Sequence, residues 1–175
     1  MTTQTPPPLS EISVIAIVAA DGAIGRGGDQ PFHISADFKR FKQLTLGHPV
    51  IMGRRTFEAL PKGALPGRKN IVITRNSSFK AENITTAPSI KDALAICREE
   101  EADPFIIGGG EIYRQSMSLA TTLYLTEVEA TVEDADTFFP EIDPAKWVLT
   151  ERSEEQTDPR SGVKYRFSTY RSDTK

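Results

Sequence analysis

Cysteine is almost absent from the sequence. A single one, Cys97, excludes an internal disulfide framework and fits a reducing, cytoplasmic compartment. Histidine is nearly as scarce: His33 and His48, with Cys97, make no dense ligand cluster, so no metal is expected. No apolar run approaches the roughly 18 residues of a membrane-spanning helix, so no membrane partner is expected. The first residues, MTTQTPPPLSE, have neither a basic region nor an apolar core and are not expected to be a secretory signal. Positive charge is not in excess either. A formal charge of −3 gives no electrostatic case for nucleic acid, although a local basic patch would still suit a small anion. There is no internal repeat and no break in composition. The 175 residues, 38% of them hydrophobic, read as one domain with room for a sizeable core. Residues 1–10, rich in Thr and Pro, read as a disordered tail before a domain at 11–172.

What is present centres on Ile24 to Phe57, IGRGGDQPFHISADFKRFKQLTLGHPVIMGRRTF. Gly25, Gly27 and Gly28 form a loop with the mobility of a lid or of a plain surface connection. Ser35 then suits a helix N-cap, and Asp37 stands in the first turn. Ile34, Phe38 and Phe41 fall on one face at helical spacing. One acid beside a strip of aromatic surface suits a flat polar heterocycle. It also suits a surface acid stabilised by the helix dipole.

Ile12 to Ala20, apolar almost throughout, reads as a central strand covered on both faces. PVIMG, residues 49–53, is a short buried strand running into Arg54-Arg55-Thr56. That start is a plausible phosphate site or a solvated basic helix end. The next strand, NIVIT, ends in Thr74 and Arg75, at the strand end where parallel sheets collect ligands. Residues 83–87 read as a short strand. Ser89 and Asp92 have capping-box spacing before a helix whose buried face takes Ile90, Leu94 and Cys97. PFIIGGG runs an apolar strand into three glycines before Glu111-Ile112-Tyr113. The glycines suit a close backbone approach to phosphate, and almost equally a tight turn. This is not the G-x-G-x-x-G dinucleotide fingerprint. Residues 122–128 are a strand, 129–139 an acidic loop. Residues 147–152 and 163–170 are expected as an antiparallel edge hairpin, with Val163, Tyr165, Phe167 and Thr169 on one face and Lys164, Arg166 and Ser168 on the other. The expected fold is α/β: a single domain with about eight strands, mostly parallel, an antiparallel C-terminal edge hairpin, and short helices on both faces.

In order and content these pieces resemble the dihydrofolate reductase family over residues 12 to about 170. The most specific are Ile24-Gly25, Pro31, Ala36-Asp37-Phe38, Phe41-Lys42, VIMGRRTF, LPGRKNIVIT, IIGGGEIY, LYLTEV and DADTFFP. The resemblance implies NADPH-dependent reduction of 7,8-dihydrofolate to 5,6,7,8-tetrahydrofolate, which supports one-carbon, thymidylate and purine metabolism. It also implies antifolates such as trimethoprim or methotrexate as inhibitors, and monomer is the default state. At the chemistry it implies Asp37, Phe32, Thr126 and Tyr113, with Asp37 the only ionisable side chain by the pterin. The substrate pocket is implied to take Ile15, Ile17, Asp37, Phe38, Phe41, Lys42, Leu60, Leu65, Ile107 and Thr126, with Arg68 on the glutamate tail. NADPH is implied to meet Ile17, Ile24, Gly25, Gly53, Arg54, Arg55, Thr56, Thr74, Arg75 and the run Gly108, Gly109, Gly110, Glu111, Ile112 and Tyr113. A cis peptide is implied at Gly108-Gly109.

The chain also departs from the family's usual pattern. Phe32 stands where bacterial members usually carry Trp, as in vertebrate members. Gln30 replaces an apolar loop residue. Glu111 stands where some bacterial members have Arg. The 61–64 loop is slightly long. Three rival readings stand beside this one: a riboflavin-pathway reductase on the same fold, a non-catalytic nucleotide-binding module, and a structural α/β domain. Asp37 with Phe38 and Phe41, plus Arg68 for a glutamate tail, argue against the first, and Asp37 with Thr126 against the second. Basic residues at two strand ends with GGG at a third argue against the last.

Overall fold

Apolar runs without alternation belong to strands covered on both faces, and they form the middle of this fold. The structure, a computed structural model, describes residues 7–27 and 30–173. In chain order the elements are β1 (Ser13–Ala19), β2 (Ala23–Gly25), α1 (Ser35–Thr45), β3 (Val50–Gly53), α2 (Arg54–Glu58), β4 (Asn70–Ile73) and β5 (Ile84–Ala87). There follow α3 (Ile90–Glu99), β6 (Phe105–Gly108), α4 (Gly110–Ser116), β7 (Thr122–Val128), β8 (Thr137–Phe138), β9 (Trp147–Arg152), β10 (Gln156–Thr157) and β11 (Lys164–Ser172). The main sheet runs β10-β11-β7-β1-β6-β3-β4-β5, with β9 also paired to β11. From β7 to β5 every pairing is parallel, and β11 joins β7 antiparallel. Because β9 and β10 share one side of β11, the sheet is eight strands wide, as the sequence indicates.

Each sheet face has its own core. Val14, Ile51, Ile71, Ile106 and Leu125 pack against Ile90, Leu94 and Cys97 of α3 and Ile112 of α4. Ile15, Val50, Met52 and Val72 pack on the other face against Phe57 of α2 and Phe41 and Leu44 of α1. Fully buried side chains such as Ile51 and Ile71 contribute about 1.5–3 kcal/mol each, so these two layers dominate the stability. Cys97 sits inside the first layer, and burial pushes its thiol up to about 11.

The sheet splits at one place. β1 and β6 pair only at Ser13–Phe105 and Val14–Ile106, whereas β1 stays with β7 through Ala19–Val128. The chain leaves β1 by way of α1 toward β3, and leaves β6 by way of α4 toward β7. The two connections thus diverge from adjacent parallel strands, the arrangement that opens a ligand crevice beyond the strands' carboxyl ends.

Three expectations need correction. Ser35 is the first helical residue, not the N-cap. Ile34 holds that position with extended backbone and no side-chain cap, and it is almost fully buried. Burial of Ile34 therefore sets where α1 begins. The 129–139 segment is not all loop, since its Thr137–Phe138 pairs with β2 as a second small sheet. The expected antiparallel edge hairpin is present, with β9 outside and β11 between β7 and β9, and Ser168 and Thr169 of β11 are both buried. The Ser168 hydroxyl donates to Glu127 and accepts from Arg152 Nε at 3.1 Å. Finally, Leu9 packs on the core and the Ser10 N–H donates to Asp103 at 3.0 Å, so the expected tail is partly docked. Residues 1–6 of that tail, and Gly28 of the glycine loop, lie outside the described residues.

Candidate active site

Asp37 is the third residue of α1, and the helix start fixed by Ile34 aims it at β7. Thr126, buried on β7 and registered beside Ile17 of β1, donates its hydroxyl hydrogen to the Asp37 carboxylate. Burial raises the Asp37 pKa above the usual carboxylate value, opposed by the Thr126 hydrogen bond and by the charge of Arg40. Arg40, three residues on along α1, is the cation in that balance. The field of Asp37 also reaches Tyr113, whose pKa is raised first by burial and then by the Asp37 charge.

Most of the apolar residues assigned to the substrate fall in two clusters. Ile15 is buried in one cluster with partly buried Phe41, Leu60, Leu65 and Ile107. Phe32 packs with Ile17 and Ile34. Phe38 is 47% exposed and Lys42 is exposed, so both lie on the open side of α1. The Leu60–Pro66 loop surrounds an apolar hollow. Gly67, at φ +75°, turns the chain there. Arg68 follows, its Nε donating to Pro66 O at 2.9 Å and its Nη1 to Thr45 Oγ1 at 3.1 Å. That bracing holds the guanidinium at the C-terminal end of α1 with N–H groups to spare.

On the other side of the crevice lie the strand-end residues. Gly108 and Gly109 are joined by a cis peptide, as the resemblance implied. A Cβ at Gly109 would stand 3.2 Å from Thr56 Oγ1, and one at Gly110 would stand 2.6 Å from Thr137 Cγ2. Backbone alone fits there. Gly53 lies alongside, where a Cβ would press on Ile112 at 3.2 Å. Tyr113 is buried and donates its hydroxyl hydrogen to Ile15 O at 2.8 Å, in the stretch where β1 has lost β6 as a partner. Arg55 faces a cleft of about 550 Å³ with Gly27, Glu58, Ala59 and Asp136. Arg54 pairs with Glu58 at 3.2 Å and stacks 4.4 Å above the Phe79 ring. Arg75 is exposed past the end of β4, and Thr74 accepts a turn hydrogen bond from Asn76 N at 3.1 Å. Glu111 is exposed and tied to Arg114 at 2.5 Å and to Gln115 at 3.2 Å, which offsets its charge at the start of α4.

The glycine loop is fastened at its start. Asp136 N donates to Gly25 O at 3.1 Å, and Asp136 Oδ2 accepts from Gly27 N at 2.8 Å. Ile24 is partly buried against the α3–α4 core layer. Arg40 and Asp136 are the residues that sequence reading missed. Arg40 carried one available signal, since it stands one helical turn from Asp37.

Close-packed glycine backbone flanked by Arg54, Arg55 and Arg75 fits a phosphorylated dinucleotide. A half-buried carboxylate beside apolar side chains across the crevice fits a nitrogen heterocycle. Together they define a nucleotide-dependent reductase of a flat heteroaromatic substrate. The family model for dihydrofolate reductase matches residues 11–172. The chain is similar to the dihydrofolate reductase of Neisseria gonorrhoeae, 48% identical over 91% of this chain and 97% of that one. It is similar also to dihydrofolate reductase type 3 of Salmonella typhimurium, 41% identical over 90% of this chain and 96% of that one. Among solved structures, it resembles dihydrofolate reductase from Enterococcus faecalis complexed with NADP(H) and RAB-propyl. That match has a TM-score of 0.87 at 30% identity, over 95% of this chain and 98% of that one. The chain belongs to the dihydrofolate reductase family.

Proposed function

We propose that this chain reduces 7,8-dihydrofolate to tetrahydrofolate with Asp37 as the acid that holds the pterin, and that residues 11–172 are the working unit. The observation that carries this reading is the Asp37–Thr126 pair, a half-buried carboxylate fixed by one hydroxyl beside apolar side chains. In it, the carboxylate accepts hydrogen bonds from the pterin's 2-amino group and the adjacent ring nitrogen. Thr126 keeps the remaining lone pairs oriented. Ile15, Ile17, Phe32, Phe38, Phe41, Leu60, Leu65 and Ile107 exclude bulk water and flank the two rings, while Lys42 and Arg68 meet the glutamate tail. NADPH, when bound, supplies the hydride. Gly53, Thr56 and the Gly108–Tyr113 backbone would hold it, Ile17, Ile24 and Gly25 would border its ring, and Arg54, Arg55, Thr74 and Arg75 would take its phosphates. The protein's part in the chemistry is alignment and charge. Asp37 favours protonation at N5 of the pterin through water, since no acid side chain other than Asp37 is assigned to the pterin pocket.

The same reading has the chain working as a monomer in the cytoplasm, supported by its single buried thiol and by a site assembled from one chain. Among the described residues no helix is long and apolar enough to cross a membrane. Antifolates that place a protonated heterocycle against Asp37 would compete with the substrate.

The test is Asp37→Asn. Dihydrofolate-dependent loss of NADPH absorbance should fall by about 10²-fold or more at neutral pH. NADPH binding should be kept. Because burial raises the Asp37 pKa, the folded state bears a cost for the ionised carboxyl above that pKa. The variant should therefore be as stable as the parent or more so at pH 7. Unchanged turnover would sink the assignment.

A further inference from the structure

Arg40 takes no part in the reading above, yet it sits at the site. It follows Asp37 by three residues on α1, so the two share a helical face. Its Cζ lies 4.4 Å from the ring centroid of Phe167 on β11 and 5.8 Å from that of Tyr124 on β7. Phe167 is registered directly opposite Thr126, the residue bonded to Asp37, and Tyr124 lies two residues before Thr126 on the same sheet face. Asp37, Thr126 and Arg40 therefore converge on one patch of sheet. Among the described residues no carboxylate stands within salt-bridge distance of Arg40. Its charge rests over two aromatic rings, which attract a cation through their faces.

We propose that Arg40 is a positioning residue for this reaction: clamped on Phe167 and Tyr124, it fixes a positive charge one helical turn from the Asp37 carboxylate and sets the pH range over which that carboxylate stays ionised. This rests on the reading of Asp37 as the acid that meets the substrate. The other groups in the field are few. Tyr113 of α4 and Tyr165 of β11 act on or from Asp37 and are neutral at ordinary pH. Tyr124 of β7 and the exposed Glu151 of β9 act on Arg40. Burial drives the Asp37 carboxyl toward its neutral form, and Arg40 is the cation that opposes it. A neutral Asp37 would hold the pterin's donor edge less well, so the setting matters for turnover.

The experiment compares Arg40→Gln and Arg40→Lys with the parent by two readouts. One is the pH profile of dihydrofolate turnover at saturating NADPH. The other is direct titration of the Asp37 carboxyl by 13C NMR in the ligand-free protein. Arg40→Gln should move the Asp37 titration, and the matching limb of the profile, upward by about 0.5–1 pH unit. Arg40→Lys should restore most of the shift. If Arg40→Gln does not fold, Arg40→Met, which keeps an apolar stem on Phe167, carries the same test. An unmoved Asp37 titration overturns the proposal. An equal shift in the Gln and Lys variants also overturns it, by assigning the effect to lost packing. If Asp37→Asn itself leaves turnover unchanged, the failure belongs to the underlying reading, because the NMR titration still reports the Arg40–Asp37 coupling.

Discussion

Replacing Tyr113 by Phe tests the idea that the sheet is split open for a ligand. Beyond Val14–Ile106, β1 has no β6 partner, and the Tyr113 hydroxyl supplies Ile15 O with a donor at 2.8 Å. Tyr113→Phe keeps the ring and its contact with Phe139, whose centroid is 5.1 Å away. It removes only the donor. A buried acceptor left unpaired costs about 1–3 kcal/mol. In a chain of this size that is a fall in Tm of about 3–8 °C. The pH dependence gives a second readout. Burial raises the Tyr113 pKa in the folded state well above the unfolded value of 10.0. Above pH 10 the unfolded chain releases a proton that the folded chain retains. The stability contributed by Tyr113 is thus complete below pH 10 and is lost as pH rises toward the folded pKa, at about 1.4 kcal/mol per pH unit. The parent should therefore lose its advantage over Tyr113→Phe as pH climbs past 10, while Tyr165 and Tyr170 titrate alike in both. Urea unfolding from pH 8 to 11 measures this. Equal stability at pH 8, or a gap that stays constant to pH 11, would refute the reasoning.

Two further outcomes follow from buried and fastened groups. Cys97, with its thiol pushed up to about 11 inside the α3 layer, should resist thiol reagents at pH 8 in the native protein and react once on unfolding; rapid native labelling would contradict its placement. Asp136→Ala removes the acceptor for Gly27 N, and it should speed exchange of that amide and weaken NADPH binding a few-fold, measured by protein fluorescence. Unchanged binding with faster exchange would separate the loop's anchorage from the cofactor.

Much of this architecture was legible where one local rule governs. ISVIAIVAA reads as a central strand because both faces of β1 are covered, and Ser89 caps α3 by accepting from Asp92 N at 3.2 Å. Reading failed where a distant partner decides. Ser35 has the better capping side chain, but burial of Ile34 fixes the helix start. The Thr137–Phe138 strand is two residues long and exists only because Ala23 and Gly25 pair with it. For the site, the residue types at strand ends pointed to phosphate and the helix acid to a heterocycle. Neither signal placed Arg40, whose neighbours Phe167 and Tyr124 lie far along the chain.

The split between β1 and β6 explains why the site's two halves read as separate features. α1 leaves β1 on one face of the sheet and carries Asp37, and α4 leaves β6 on the other and carries Tyr113. No sequence spacing relates them, because Asp37 is placed by Ile34 and Thr126, and Tyr113 by the glycine turn. Only the loss of pairing after Val14–Ile106 makes them borders of one crevice. The Tyr113 bond to Ile15 O then has a functional sense beyond stability. It satisfies the backbone that an open crevice would otherwise leave unpaired, and so lets the strands stay apart where a ligand must enter.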